Sequence, residues 1–127
     1  MPRSEEQKTA AVIRHITEVP WKEFPGHFGG ALSKPLVSTE NCRARRIDHR
    51  ISCYQPKAYV EKHVHEIQEQ VFHVLEGEGL IELDGETRVV RKHDVVFVPP
   101  GVWHGISNTG LTDLVFLVIT SPPEDVD

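Results

Sequence analysis

The chain has 127 residues, with 14 basic and 19 acidic side chains and a formal net charge of −5. That length fits one domain able to bury a core without disulfides or structural zinc, and the lack of any strongly basic stretch argues against a nucleic-acid partner. The longest apolar run, Leu114 to Ile119, is far too short to cross a bilayer, so no membrane partner is expected.

In chain order, residues 1–10 are polar and charged, carry no apolar signal segment, and read as a frayed terminus. The stretch AVIRHITEVPW predicts a short strand running into a turn at Pro20. FPGHFGGALSKP has glycine and proline at loop density. From Leu36 the pattern is β: RRIDHRISCY, AYVEKHVH, QVFHVLEG, GLIELDGETRVV, DVVFVPP and LVFLVIT are rich in β-branched and aromatic residues. Turn residues separate them at intervals of roughly ten residues. Asp84-Gly85 supplies the positive backbone angles of a type I′ hairpin. The closing SPPEDVD reads as a loose acidic tail. No segment after residue 20 shows sustained helical periodicity. These readings divide the chain into an arm and loop over residues 1–35, an all-β barrel or sandwich over 36–121, and a tail over 122–127. Cys42 and Cys53 form no metal-type pair and read as reduced thiols of a cytoplasmic protein.

Eight histidines are many for this length. In AYVEKHVH, strand alternation places Tyr59, Glu61, His63 and His65 on one face. Imidazoles two positions apart can converge on zinc, copper, nickel or iron; taken alone, the pair fits two surface histidines equally well. Further on, Pro99-Pro100-Gly101 is a rigid turn just ahead of His104, an arrangement that aims one ligand.

Together the two stretches resemble the paired motifs of the cupin superfamily. The first motif runs Gly, five residues, His-x-His, three or four residues, Glu, six residues, Gly. His63, His65 and Gly77 match it, Gln70 stands at the Glu position, and Lys57 replaces the leading Gly. The second runs Gly, five residues, Pro-x-Gly, two residues, His, three residues, Asn. Pro99, Gly101, His104 and Asn108 match, and His93 replaces the leading Gly. The resemblance spans about residues 36–120. It implies a small antiparallel jelly-roll β-barrel, a homodimer, and one divalent transition metal (zinc, nickel, ferrous iron or manganese) held by His63, His65, Gln70 and His104.

Glu69 competes with Gln70 for the fourth position, but its spacing to Gly77 is one residue too long, and alternation groups Gln70 with Phe72 and Val74. Three imidazoles and a neutral amide leave a divalent charge uncompensated. Such a site is a stronger Lewis acid than one with a carboxylate, favours an anionic substrate and disfavours high oxidation states. Glu61 is a candidate general base or partner of a ligating histidine, with Tyr59 beside it. Arg43, Arg45, Arg46 and Arg50 suggest a solvated or subunit-pairing edge strand. The sharper alternative is that Arg50 turns inward to hold a substrate carboxylate. Phe72, Val74, Val98 and Ile106 are candidate pocket walls. His73 and Trp103 are expected to point away from the metal, and His27 lies in a loop able to fold over the mouth. The function expected is Lewis-acid chemistry on a small anionic molecule (cyclase, isomerase or lyase type). The alternatives are ferrous dioxygenase chemistry and a non-catalytic binding module.

Overall fold

Strand alternation dominates the architecture, as the sequence pattern predicts. The computed structural model describes residues 9–125; most of the charged terminus lies outside them. The strands are β1 (Lys22–Glu23), β2 (His27–Phe28), β3 (Ala31–Val37), β4 (Asp48–Tyr54), β5 (Tyr59–Val60), β6 (Glu69–Glu76), β7 (Glu78–Leu83), β8 (Glu86–Arg91), β9 (Val95–Val98), β10 (His104–Ser107) and β11 (Leu114–Ser121). They form two antiparallel sheets, a six-stranded β1-β3-β4-β11-β6-β9 and a five-stranded β2-β5-β10-β7-β8. This is a jelly roll; no strand pairing among the described residues closes the sheets into a continuous barrel.

The two sheets meet over a core of Tyr54, Phe72, Val74, Ile81, Ile106, Leu114 and Phe116. Phe116 packs edge-on against Tyr54 at 5.0 Å, and tilted against Phe72 at 5.9 Å, between ring centroids. Burial of each such aromatic stabilises the fold by about 2–3 kcal/mol. The Asp84-Gly85 turn is as expected: both residues have positive φ, 48° and 86°, and Leu83 pairs directly with Glu86.

The inward rows across β6, β11 and β4 change character along the strands. Val74, Phe116 and Ser52 share one row, Phe72, Val118 and Arg50 the next, and Gln70, Thr120 and Asp48 the third. The interior is therefore apolar at one end and polar at the other, and the polar end holds the site.

Four local expectations are corrected. Residues 11–15 form no strand; a single 3-10 turn spans Ile16–Glu18, with His15 Nδ1 accepting from the Thr17 amide. The supposed loop FPGHFGGALSKP contains β2 and most of β3. β4 is not an edge strand, since β3 and β11 flank it. One helical turn, α1 (Thr39–Cys42), interrupts the β pattern with Ser38 and Asn41 as its capping box.

Lys57 and His93, where the motifs carry glycine, both adopt the glycine conformation, with φ of 77° and 78°. The left-handed region costs a non-glycine residue about 1–2 kcal/mol. Backbone bonds offset this: the Lys57 amide donates to the Asn108 carbonyl at 3.0 Å and the His93 amide to the Val74 carbonyl at 2.9 Å. The departures from the motif thus leave its turns intact. Gly77 has a stricter requirement. Its φ is 80°, and a Cβ there would run into the Asp113 carbonyl.

Candidate metal centre

His63, His65 and His104 come together with all three ligating nitrogens within 4.8 Å of one another. The backbone fixes this convergence. His63 and His104 exchange both amide-to-carbonyl hydrogen bonds, each at 2.9 Å. The Pro-Pro-Gly turn is fastened to the other motif by the Gly101 amide, which donates to the His65 carbonyl at 2.8 Å. Gln70 enters from the opposite sheet on β6, and its side-chain oxygen lies 2.8 Å from His104 Nε2.

The protonation pattern follows from the partners. A carbonyl oxygen can only accept, so the nitrogen facing it must carry the proton. His63 Nδ1 donates to the Glu61 carbonyl at 2.8 Å, and His104 Nδ1 donates to the Val102 carbonyl at 2.9 Å. Each ring's remaining lone pair is then on Nε2. His65 Nε2 is buried and has no hydrogen-bond partner among the described residues. Nε2 of His63 and of His104 thus presents a lone pair, and the unpartnered His65 Nε2 lies in the same cluster.

Gln70 sharpens the argument. Its Nε2 donates to Thr120 Oγ1 at 3.0 Å, which aims Oε1 at His104. Two lone pairs facing each other across 2.8 Å repel. Turning the amide would relieve this; a cation beside both atoms relieves it with the amide as it stands. The donor set, three imidazoles and an amide oxygen, suits a divalent transition ion, and the orphaned His65 nitrogen is what such an ion would satisfy.

Burial favours the neutral form of His104 and His65. It lowers the His104 pKa from 6.5 to about 4, helped by His63 and His65 and opposed by the bond to Val102. His65 is lowered too, first by burial and then by His63, with Asp125 opposing. Neutral imidazole is the form that ligates.

The cluster opens on a cavity of about 230 Å³. Phe24, Tyr54, Val60, Phe72, Phe116 and Val118 supply its apolar wall, and Ser33, Ser52, Gln68 and Thr120 its neutral polar one. Among the described residues, the only charged ones lining it are Asp48 and Arg50. They form a two-pronged pair, Nε to Oδ1 at 2.8 Å and Nη2 to Oδ2 at 3.2 Å, with the guanidinium 4.5 Å above the Phe24 ring.

Of the residues singled out in the sequence, His63, His65, His104 and Gln70 meet in the cluster, and Arg50 lies on the cavity wall. Glu69 is exposed. Tyr59 and Glu61 do not join the histidines. They line an outer groove with Lys62 and Glu82, because β5 is only two residues long and the alternation breaks before His63. Of the candidate walls only Phe72 reaches the cavity; Val74, Val98 and Ile106 sit in the core. His73 is half-buried on the outer face, and Trp103 is exposed.

Three contributors escaped the sequence reading. His27 is not a lid residue: it pairs with Val60 on β2 and lines the cavity, with Nδ1 on the Pro25 carbonyl at 3.0 Å. Thr120 orients Gln70. Asp125, in the supposedly loose tail, accepts from three consecutive amides just after His65. Only the clustering of polar residues at one end of β4 and β11 hinted at the second of these.

Residues 50–120, more than half of the chain, match the family model described as Cupin domain. An oxalate-binding protein from Thermotoga maritima is 38% identical over 64 residues, which are 50% of this chain and 53% of that protein. The chain spans about half the length of the curated relatives it matches. Among solved structures, a predicted oxalate decarboxylase from Thermotoga maritima superposes with a TM-score of 0.78 at 26% identity, covering 87% of this chain and 98% of that one. The polyketide cyclase RemF from Streptomyces resistomycificus gives 0.76 at 27% identity, covering 90% and 83%. Motif spacing, jelly-roll topology and family match agree, and the chain belongs to the cupin family.

Proposed function

We propose that this cupin binds a small anionic organic molecule at a divalent metal held by His63, His65, His104 and Gln70, and acts on it by non-redox chemistry of the cyclase, isomerase or lyase type. One observation carries the reading: no donor in the cluster is a carboxylate or thiolate, and the only charges that the described residues bring to the cavity wall, Asp48 and Arg50, cancel. When bound, a divalent ion supplies Lewis acidity and an uncompensated double positive charge. The cavity then attracts an anion. Arg50 spends Nε and one Nη2 contact on Asp48, and its remaining Nη donors are left for a substrate carboxylate. His27, whose Nδ1 proton is committed to Pro25, keeps a basic Nε2 for accepting a proton from the substrate. Phe72, Phe116 and Tyr54 exclude water around the reacting carbons. One relative is named for oxalate binding and another for polyketide cyclisation, which fits a carboxylate or dicarbonyl ligand.

Oxalate is the first probe. Calorimetric titration of zinc- or nickel-loaded protein is expected to show oxalate binding at least about tenfold tighter than to metal-free protein, a difference of about 1.4 kcal/mol. Arg50→Lys, which keeps the charge and loses the fork, should weaken it further. Equal binding with and without metal would contradict the reading. Oxygen uptake by the ferrous form on a catechol or diketone would favour the dioxygenase alternative.

A further inference from the structure

We propose that Asp125 is a positioning residue for the metal centre, and that the strap it anchors, residues 121–125, brings Pro123 to the cavity wall. The inference rests on the metal-binding reading above. Asp125 Oδ2 accepts from the Glu66 amide at 2.9 Å, and Oδ1 accepts from the Ile67 and Gln68 amides at 2.8 and 3.0 Å. Three successive backbone N–H groups on one carboxylate form an anion-binding nest. They lie between two proposed ligands: Glu66 follows His65 directly, and Gln68 is two residues before Gln70.

A second anchor runs beside the first. Gln68 Nε2 donates to the Pro122 carbonyl at 3.1 Å, and both Gln68 and Pro123 line the cavity. From the other side the Gly101 amide holds the His65 carbonyl. The loop joining His65 to Gln70 is thus gripped at both ends by segments distant in sequence. Among the described residues, no hydrogen bond to the buried His65 Nε2 sets the rotation of the ring, unlike His63 and His104, whose Nδ1 atoms are held by carbonyls. Its orientation depends on its backbone, and Asp125 fixes that backbone. Residue 125 also lies outside the matched family segment of 50–120.

In the full chain, Asp125→Ala is expected to weaken cobalt(II) and zinc binding by about 10–100-fold in chelator competition, the usual loss when a group that orients a ligand is removed. The visible spectrum of the cobalt form should shift, because the His65 ring is no longer held, and the amides of residues 66–68 should exchange faster. Asp125→Asn, which keeps one acceptor oxygen, should fall between parent and alanine variant, and it carries the test if the alanine variant does not fold. Glu124→Ala, exposed and adjacent, should leave affinity and spectrum unchanged. Metal affinity within about twofold of the parent and an unshifted cobalt spectrum would overturn the proposal even if the amides exchange faster. A parent protein that binds no metal would overturn both readings; a parent that binds metal with Asp125→Ala unaffected would overturn only this one.

Discussion

Gln70→Glu should tighten divalent-metal binding by about 10–100-fold and weaken oxalate binding to the loaded protein by a similar factor. A unit charge about 4 Å from a divalent ion, at the effective dielectric of a partly exposed site, interacts by about 8 kcal/mol, and desolvation of the carboxylate leaves about 1.5–3 kcal/mol of that. The two effects have opposite signs because they share a cause: the carboxylate neutralises one unit of the charge that the amide leaves for the ligand. The local geometry accepts the change. Thr120 Oγ1, which accepts from the amide of Gln70, can rotate its hydroxyl to donate to a carboxylate. Chelator competition and oxalate titration measure the two effects separately. Glu69→Gln is the control, since Glu69 is exposed, and it should change neither. Unchanged metal affinity in Gln70→Glu would remove residue 70 from the centre.

The second large effect is on stability against acid. His104 is buried, 1% exposed, and burial lowers its pKa from 6.5 to about 4 in the folded protein. The unfolded chain therefore takes up a proton, between pH 6.5 and 4, that the folded chain refuses. Stability of the metal-free protein should fall as pH drops through that window, by about 2–3 kcal/mol from this group, and should not change on its account above pH 7. His65 is shifted in the same direction, and Asp125, held low by its bonds to Glu66, Gln68 and Ile67, adds a loss in the same sense at lower pH. Urea melts at stepped pH measure the slope. His104→Gln should flatten it between pH 6.5 and 4, whatever it does to absolute stability. An unaltered slope would show that His104 is protonated as readily in the folded chain as in the unfolded one. Saturating zinc should move the acid limb downward, because a bound ion occupies the lone pairs that protons seek.

How much of this was legible in the sequence depended on whether inside meant apolar. Where β6 and β11 bury Phe72, Val74, Leu114 and Phe116, period-two alternation marks the strand and its face. β3 was missed because its buried positions include Ala31, Ser33 and Lys34: Ser33 faces the cavity, where it bonds Ser52, and Pro35 sits beside a register shift. A strand that lines a polar cavity inverts the pattern that a strand search looks for. The clustering of the histidines was legible because motif spacing records backbone geometry, down to the left-handed turns at Lys57 and His93. The alternation that grouped Tyr59 and Glu61 with the histidines failed where β5 stops at Val60. Asp125 could not have been found, since one carboxylate reaching back 57 residues to Gln68 leaves no periodic trace.

The most direct test is metal titration of anaerobically prepared protein with manganese, ferrous iron, cobalt, nickel and zinc, with X-ray absorption on the tightest form and His104→Ala alongside. The expected result is one ion per chain, an absorption spectrum that counts three imidazoles, and binding weakened more than about a hundredfold by the substitution. Protein that retains none of these ions, or retains one equally well after His104→Ala, would contradict the account.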